Sequence, residues 1–384
     1  MKKSAVAIVL AVCSLGSYVF AEMNTNASLE LKVTNDDNIY YEKTDPQSSM
    51  ITAFIPGLNF SASNDANKLG LDYTAEILNY SFSPSTNNAT NQAVGIMGEL
   101  VFPFGLSIKL RDAYKDTNDA PSSEFVKRIN RIQNNLNAEV GYKINRLVSA
   151  SIVMNQVKHE YSEAIYKPLF NRSESETGLI VFYGISPKTS ALLEYDMNKI
   201  VYDNVLPNRK DSSETKIKLG LKGKLTPKTV GILKVGSTDR KYDLIANTNN
   251  VADSMISLNS ITEFSKMTNL KLLIDRNIQE SVYANNAYYI STGLTADLGQ
   301  KIGSSWGVNL NVRTEMGAYP NETTSGALTA KRADTNNSLG LSIGYNAMDW
   351  LTANIGFTTK SRSSNFDEFN YTDNVSGIGI KAIF

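Results

Sequence analysis

Along most of this 384-residue chain, apolar and polar side chains alternate in runs of strand length, so each run presents two chemically different faces. Leu69, Leu71, Tyr73, Ala75 and Ile77 are set against Gly70, Asp72, Thr74 and Glu76. Leu136, Ala138, Val140 and Tyr142 oppose Asn135, Asn137, Glu139 and Gly141, and Ile217, Leu219 and Leu221 oppose Lys216, Lys218, Gly220 and Lys222. The pattern returns with Trp306, Val308, Leu310 and Val312 against Asn309, Asn311 and Arg313, and with Leu351, Ala353, Ile355 and Phe357 against Thr352, Asn354 and Thr358. These segments are too many, and their polar rows too charged, for the apolar rows to share the core of a small sandwich. Lipid is the expected surrounding of the apolar rows. Past the first residues no apolar run approaches the ~20 residues of a membrane helix. A membrane protein without helices must close its strands into a barrel, because an open edge leaves backbone polar groups unpaired in hydrocarbon. The expected fold class is therefore all-β, a transmembrane antiparallel up-and-down β-barrel.

Long and short connections take turns between the segments. The long ones are polar: Ser83 to Asn91, Asp116 to Glu124, Ser162 to Ser173, Asn204 to Asp211, Leu244 to Asp253 and Tyr319 to Asp334. Between them lie tight joints at Pro103-Phe104-Gly105, Ile144-Asn145-Arg146, Ser186-Pro187-Lys188, Leu225 to Lys228, Ser265 to Thr268, Gly299 to Ser304 and Asn346 to Asp349. Short turns in the periplasm and long loops outside are the habit of outer-membrane barrels. Counting segments gives about 18 strands, with 16 as the alternative if the first segment or the hairpin at Asn285 is misread. The even number puts both ends of the barrel on the periplasmic side. It corresponds to about 20 residues per strand with its connection, the pitch of membrane strands of ~9 to 11 residues. Pro56-Gly57, inside the second segment, requires a bend or bulge there.

The amino terminus reads as a secretory signal, with Lys2 and Lys3 before the apolar stretch that starts at Ala5, and Val19-Phe20-Ala21 at the cleavage positions. Residues 1–21 are assigned to the signal and 22–384 to a single barrel domain. Processing would remove Cys13, the sole cysteine, and with it any disulfide or cysteine-ligated metal. The chain's 38 basic and 38 acidic side chains balance, which gives no footing for nucleic acid.

The last strand carries its own message. Ser376, Ile378, Ile380, Ala382 and Phe384 form one row and Gly377, Gly379, Lys381 and Ile383 the other. A carboxy-terminal aromatic on an outward apolar row is how outer-membrane barrels end, so Ile378, Ile380 and Phe384 are candidates for the assembly signal. The barrel-insertion machinery, periplasmic chaperones, outer-membrane lipid and lipopolysaccharide are the implied partners. Tyr142 and Tyr345 end strands at periplasmic turns, Trp306 and Trp350 begin them, and Tyr202, Tyr242 and Tyr283 lie toward the other end. They are read as two aromatic girdles.

Several short pieces match a known family: Asp36-Asp37-Asn38-Ile39-Tyr40, Ile55-Pro56-Gly57-Leu58, Leu71-Asp72-Tyr73, Leu193-Glu194-Tyr195, and Leu225-Thr226-Pro227-Lys228-Thr229 before Gly231. In their order and spacing the chain resembles the putative beta-barrel porin type-two group of outer-membrane proteins, some of which are encoded with exopolysaccharide synthesis and export genes. The resemblance implies a barrel, an outer-membrane location and transport. It brings no catalytic residues.

Chemistry other than passage finds little footing. His159, the sole histidine, sits between Lys158 and Glu160 without a nucleophile signature and is expected at the interfacial end of a strand. Asp36 and Asp37 offer too few oxygens for calcium and are expected at an exposed strand end. No cofactor, metal or catalytic site is expected. The inward charges are the functional candidates: Lys109, Arg111, Glu139, Glu194, Asp196, Lys216, Lys218, Lys222 and Arg313 are assigned to the pore wall. Hydrated, they would shape a field across an aqueous lumen. Paired with Glu194 and Asp196, the lysines would instead hold the wall together. The function expected is a channel for small polar solutes. A barrel dedicated to exopolysaccharide export, and a plugged structural or adhesin barrel, are the alternatives.

Overall fold

A computed structural model describes residues 22–204, 210–243, 250–283, 285–326 and 328–384. The assigned signal, residues 1–21, and parts of two expected loops, 205–209 and 244–249, lie outside the described residues. Strands β1 to β6 are Glu22–Asp36, Ser49–Ser63, Lys68–Tyr80, Ala89–Val101, Leu106–Thr117 and Arg131–Lys143. Strands β7 to β12 are Val148–Tyr161, Arg172–Ser186, Thr189–Tyr202, Ser212–Lys224, Thr229–Tyr242 and Val251–Glu263. Strands β13 to β18 are Thr268–Glu280, Tyr288–Ile302, Trp306–Ser325, Leu328–Met348, Leu351–Ser364 and Tyr371–Ile383.

The 18 strands form one sheet in sequence order, each antiparallel to its neighbours, and β1 closes on β18 from Ser28↔Ile383 to Asp36↔Val375. Closure removes the edge that hydrocarbon would not tolerate. Alternation then sorts the side chains. Ile380 on the outer row is 57 % exposed, whereas Glu194 on an inner row is 4 % exposed. At the periplasmic rim the Trp306 and Tyr345 rings meet at 4.6 Å and Trp350 lies 6.5 Å from Phe384, all on the outside. This is one aromatic girdle, at the level where an amphipathic ring is most stable.

The second girdle is a correction. Tyr202 and Tyr242 are buried inside the barrel, on the same rows as Asp196 and Arg240, and the Tyr202 hydroxyl donates to Glu280 at 2.7 Å. Tyr283 lies against the Phe369 ring and under the Arg332 guanidinium. Residues at the same end of a strand need not share a face. His159 is likewise inside rather than interfacial, because its row pairs with Gln133 and Arg172. Asp36 and Asp37 are half-buried and bonded: Asp36 accepts from the Asn38 amide, and Asp37 from both the amide and the side chain of Asn374.

Other differences concern connections. Tyr319 to Asp334 is not a loop: β15 and β16 run on past the barrel as a paired hairpin, with a register shift between Ala318 and Glu322. Alternation fades there because no membrane imposes it. At Pro56 the ladder to β3 omits Ile55 and Pro56 and resumes at Gly57↔Thr74 in unchanged register, while pairing to β1 continues through Leu29↔Pro56. The missing N–H of proline interrupts one ladder without bulging the strand.

Candidate functional site

The inner wall is built from rows that the antiparallel register brings side by side. Lys216 lies opposite Asp196 and Lys218 opposite Glu194 across β9 and β10. The Lys218 ammonium donates to Glu194 at 2.8 Å and to Asp196 at 2.7 Å, Lys234 reaches Glu194 at 2.5 Å, and Lys216 reaches Glu176 at 2.6 Å. Gly178 makes room for this cluster, since a Cβ there would stand 2.2 Å from an Asp196 carboxylate oxygen. Higher on the same wall Arg240 joins Glu214 and Glu280, and Arg172 joins Glu174, whose carboxylate lies 3.4 Å from His159 Nε2. The result is a belt of buried, mutually neutralised charge across β7 to β13.

The other candidate residues are scattered. Lys109 lies 3.7 Å from Glu139, to which Ser151 also donates. Arg313 is exposed and holds Glu315 at 2.6 Å. Lys222 is exposed with its ammonium 4.8 Å from the Phe182 ring centre, and Arg111 is exposed and forms no ion pair among the described residues. Ile378, Ile380 and Phe384 lie on the outside, where Phe384 also exchanges two backbone hydrogen bonds with Ala27.

The sequence reading placed no loop inside the barrel. Residues 118–130, between β5 and β6, run into the lumen and reach the opposite wall. Glu124 is buried there, accepting from the Ser281 hydroxyl at 2.7 Å and the Val282 amide at 2.7 Å. Ser123 donates to Glu315 at 2.5 Å, and Arg362 of β17 donates to the Ser123 carbonyl. Behind this contact Phe125 and Ile129 pack with Tyr161, Tyr166 and Phe170, while Arg128 lies over the Tyr80 ring. Burial pushes the Glu124 carboxyl above its ordinary range, against the two hydrogen bonds and the Arg332 charge. Lys210 enters from a second loop and donates to the Ser281, Tyr283 and Asn286 carbonyls at 2.8 to 2.9 Å. Burial lowers its pKa, with Glu280 and Glu124 opposing. A carboxylate directly after two serines in a polar stretch, Ser122-Ser123-Glu124, was the available signal.

Below this crossing the lumen is open. A bay of about 690 Å³ lies along β5 to β10, lined by Ser107, Glu139, Ser151, Phe182 and Lys222 among others. Another of about 400 Å³ lies on the far side, where Asn309, Asn311, Ser342 and Asn354 face the space together with Glu30 and Lys32. The charges that stand out into this space are mostly basic. Lys32, Arg111, Lys115, Lys222, Lys271 and Arg313 occupy inward rows and are exposed, whereas the inward carboxylates are mostly half-buried or paired, Glu22, Asp72 and Glu263 excepted. No group of three or more metal-ligating side chains is present among the described residues.

A family model described as Putative beta-barrel porin 2 matches residues 14–384. The fold is similar to that of OpdK of Pseudomonas aeruginosa with vanillate, at 12% identity over 95% of this chain and 100% of that one, TM-score 0.50. It is also similar to OccK2 (OpdF) of Pseudomonas aeruginosa in complex with glucuronate, at 8% identity over 95% of this chain and 100% of that one, TM-score 0.51. At these identities the likeness is one of fold. Comparison with curated proteins gives no match.

Proposed function

The chain belongs to the Putative beta-barrel porin 2 family of outer-membrane channels, and from that premise we propose that it passes small polar solutes with a preference for anions. The observation that carries the preference is the sign of the exposed inner-wall charge. Lys32 on β1 and Arg111 and Lys115 on β5 face the lumen without ion-pair partners among the described residues, while the acids beside Lys216 and Lys218 are neutralised in pairs. Exposed charge sets the potential that a permeating ion meets; a buried pair cancels at that distance. Vanillate and glucuronate, present in the two neighbours, are organic anions, and solutes of that kind suit these cations. His159 is given no catalytic part, since it serves the ion-pair belt.

In a planar bilayer under a salt gradient, the protein should show a reversal potential on the anion side. Replacing Lys32, Arg111 and Lys115 together by Glu should move it toward cations. An unaltered reversal potential, or cation preference before any change, would overturn the reading. The proposal includes export: the mature chain should begin at Glu22, and Ile378, Ile380 and Phe384 should present it to the insertion machinery. Intact mass checks the first part.

A further inference from the structure

One seam of the wall is incomplete. The β12–β13 ladder runs up from Glu263↔Asn269 and stops at Ile256↔Arg276, although both strands continue. Above that point β12 pairs only with β11, through Arg240↔Val251, and β13 only with β14, through Glu280↔Tyr288. Ile278, Tyr288 and Ile290 belong by alternation to the lipid-facing row of Ile274 and Leu294. Here they are packed with Tyr242 and Val251, which belong to inward rows, and the Tyr242 and Tyr288 rings stack at 6.3 Å. A lipid row can meet an inward row only if its strand ends lie inside the ring. The outer end of the β13–β14 hairpin has therefore tipped into the lumen.

There it forms much of the closure. Its tip carries Ser281 and Val282, the partners of Glu124, and the three carbonyls that hold Lys210. Arg240 donates to the Ile278 carbonyl at 3.3 Å and holds Glu280 at 2.5 Å, so side chains satisfy groups that β12 would otherwise pair. At the break itself Arg276 of one strand is paired with Asp253 of the other at 2.8 Å. A cavity of about 170 Å³ opens beside it, between Met255 and Asn277.

We propose that the end of the β13–β14 hairpin is a hinged flap, shut in this structure, that opens the lumen by returning to the wall beside β12. The inference rests on the channel reading and adds its regulation. Continuing the existing register sets Ser254 opposite Ile278 and Asp253 opposite Gln279. In that position Ile278, Tyr288 and Ile290 face outward with the rest of their row, and β12, which begins at Val251, lies opposite β13 as far as Ser281 and takes the place of Arg240 at the Ile278 carbonyl. The backbone from Ile278 to Ser281 thus has two alternative sets of neighbours, side chains when shut and β12 when returned, the condition for a two-state element.

The test is a Ser254→Cys, Ile278→Cys pair in a chain lacking Cys13, oxidised in outer membranes and scored on folded barrels. Leu258→Cys with Ile274→Cys, already opposite one another below the break, is the control. The control should crosslink at once. The upper pair should crosslink slowly, and the crosslinked form should conduct severalfold more than the reduced form. An upper pair that stays reduced beside a crosslinked control overturns the flap and leaves the channel standing. A crosslink that leaves conductance unchanged in a conducting protein overturns the gating role, and silence of every form overturns the channel reading and the gating with it.

Discussion

Glu124, on a loop rooted between β5 and β6, accepts a hydrogen bond from the Ser281 hydroxyl at 2.7 Å on the far side of the barrel. The strands that carry the two residues lie about half-way round the ring from one another. This single contact turns a surface connection into a crossbar.

Removing the carboxylate should release the crossbar. Glu124→Ala gives up two hydrogen bonds to a charged acceptor and also the burial of that charge, so docking should weaken by about 1 to 3 kcal/mol. Single-channel recordings should show larger and noisier steps. Steps identical to the unaltered protein would mean that Ser123 and Arg362 hold the loop without it.

The same carboxyl makes the crossbar sensitive to pH. Its pKa is raised on docking, chiefly by burial, with Arg332, Tyr319, Ser281 and Val282 facing it from the packed elements. A group raised in the docked state favours docking fully below its ordinary range, and that advantage is lost as pH rises through the raised value. Conductance should therefore increase with pH across that window. Glu124→Gln should flatten the profile; an unaltered slope in that variant would assign the titration elsewhere.

The basic row of β10 is not uniform. Lys218 sits between two buried acids, so Lys218→Ala should destabilise the barrel by about 3 to 5 kcal/mol, as does breaking a buried pair from one side. Lys222→Ala loses an exposed cation–ring contact, about 0.5 to 1 kcal/mol. Replacing Lys216, Lys218 and Lys222 together by Glu should impair folding, where a freely hydrated row would tolerate it. Urea unfolding in detergent or lipid separates these values, and equal effects from Lys218 and Lys222 would place both in water.

The closing strand has two faces of different tolerance. Ile380→Lys puts a charge into lipid, at a cost of about 2 to 4 kcal/mol if it lies near the midplane. Deleting Phe384 removes the two backbone hydrogen bonds to Ala27 and the ring beside Trp350. Both should reduce insertion, measured as folded barrel per total chain, and Lys381→Ser should do far less. Similar damage from all three would reverse the faces.

The barrel itself was legible because lipid imposes alternation residue by residue, and each segment declares its own face. The number of strands and the closing role of Tyr371 to Phe384 follow from that local rule. Parity could have done more. Tyr202 shares its row with Glu194 and Asp196, and Tyr242 shares the row of Lys234, so both are inward by the same count that placed the charges. Their end of the strand suggested a girdle, and the row overruled it.

What alternation determined, then, was every strand that touches lipid, since there one residue's environment depends only on its own position. The tertiary structure alone decided the contents of the lumen. Loop 118–130, the tip of β13–β14, and the choice of Glu194 and Asp196 as partners for Lys218 depend on residues brought together from across the ring. Water and opposite charge both satisfy a lysine, and nothing local to Lys216, Lys218 or Lys222 says which it will meet. Closing the ring brings opposite walls within reach of loops whose sequence carries no trace of that distance.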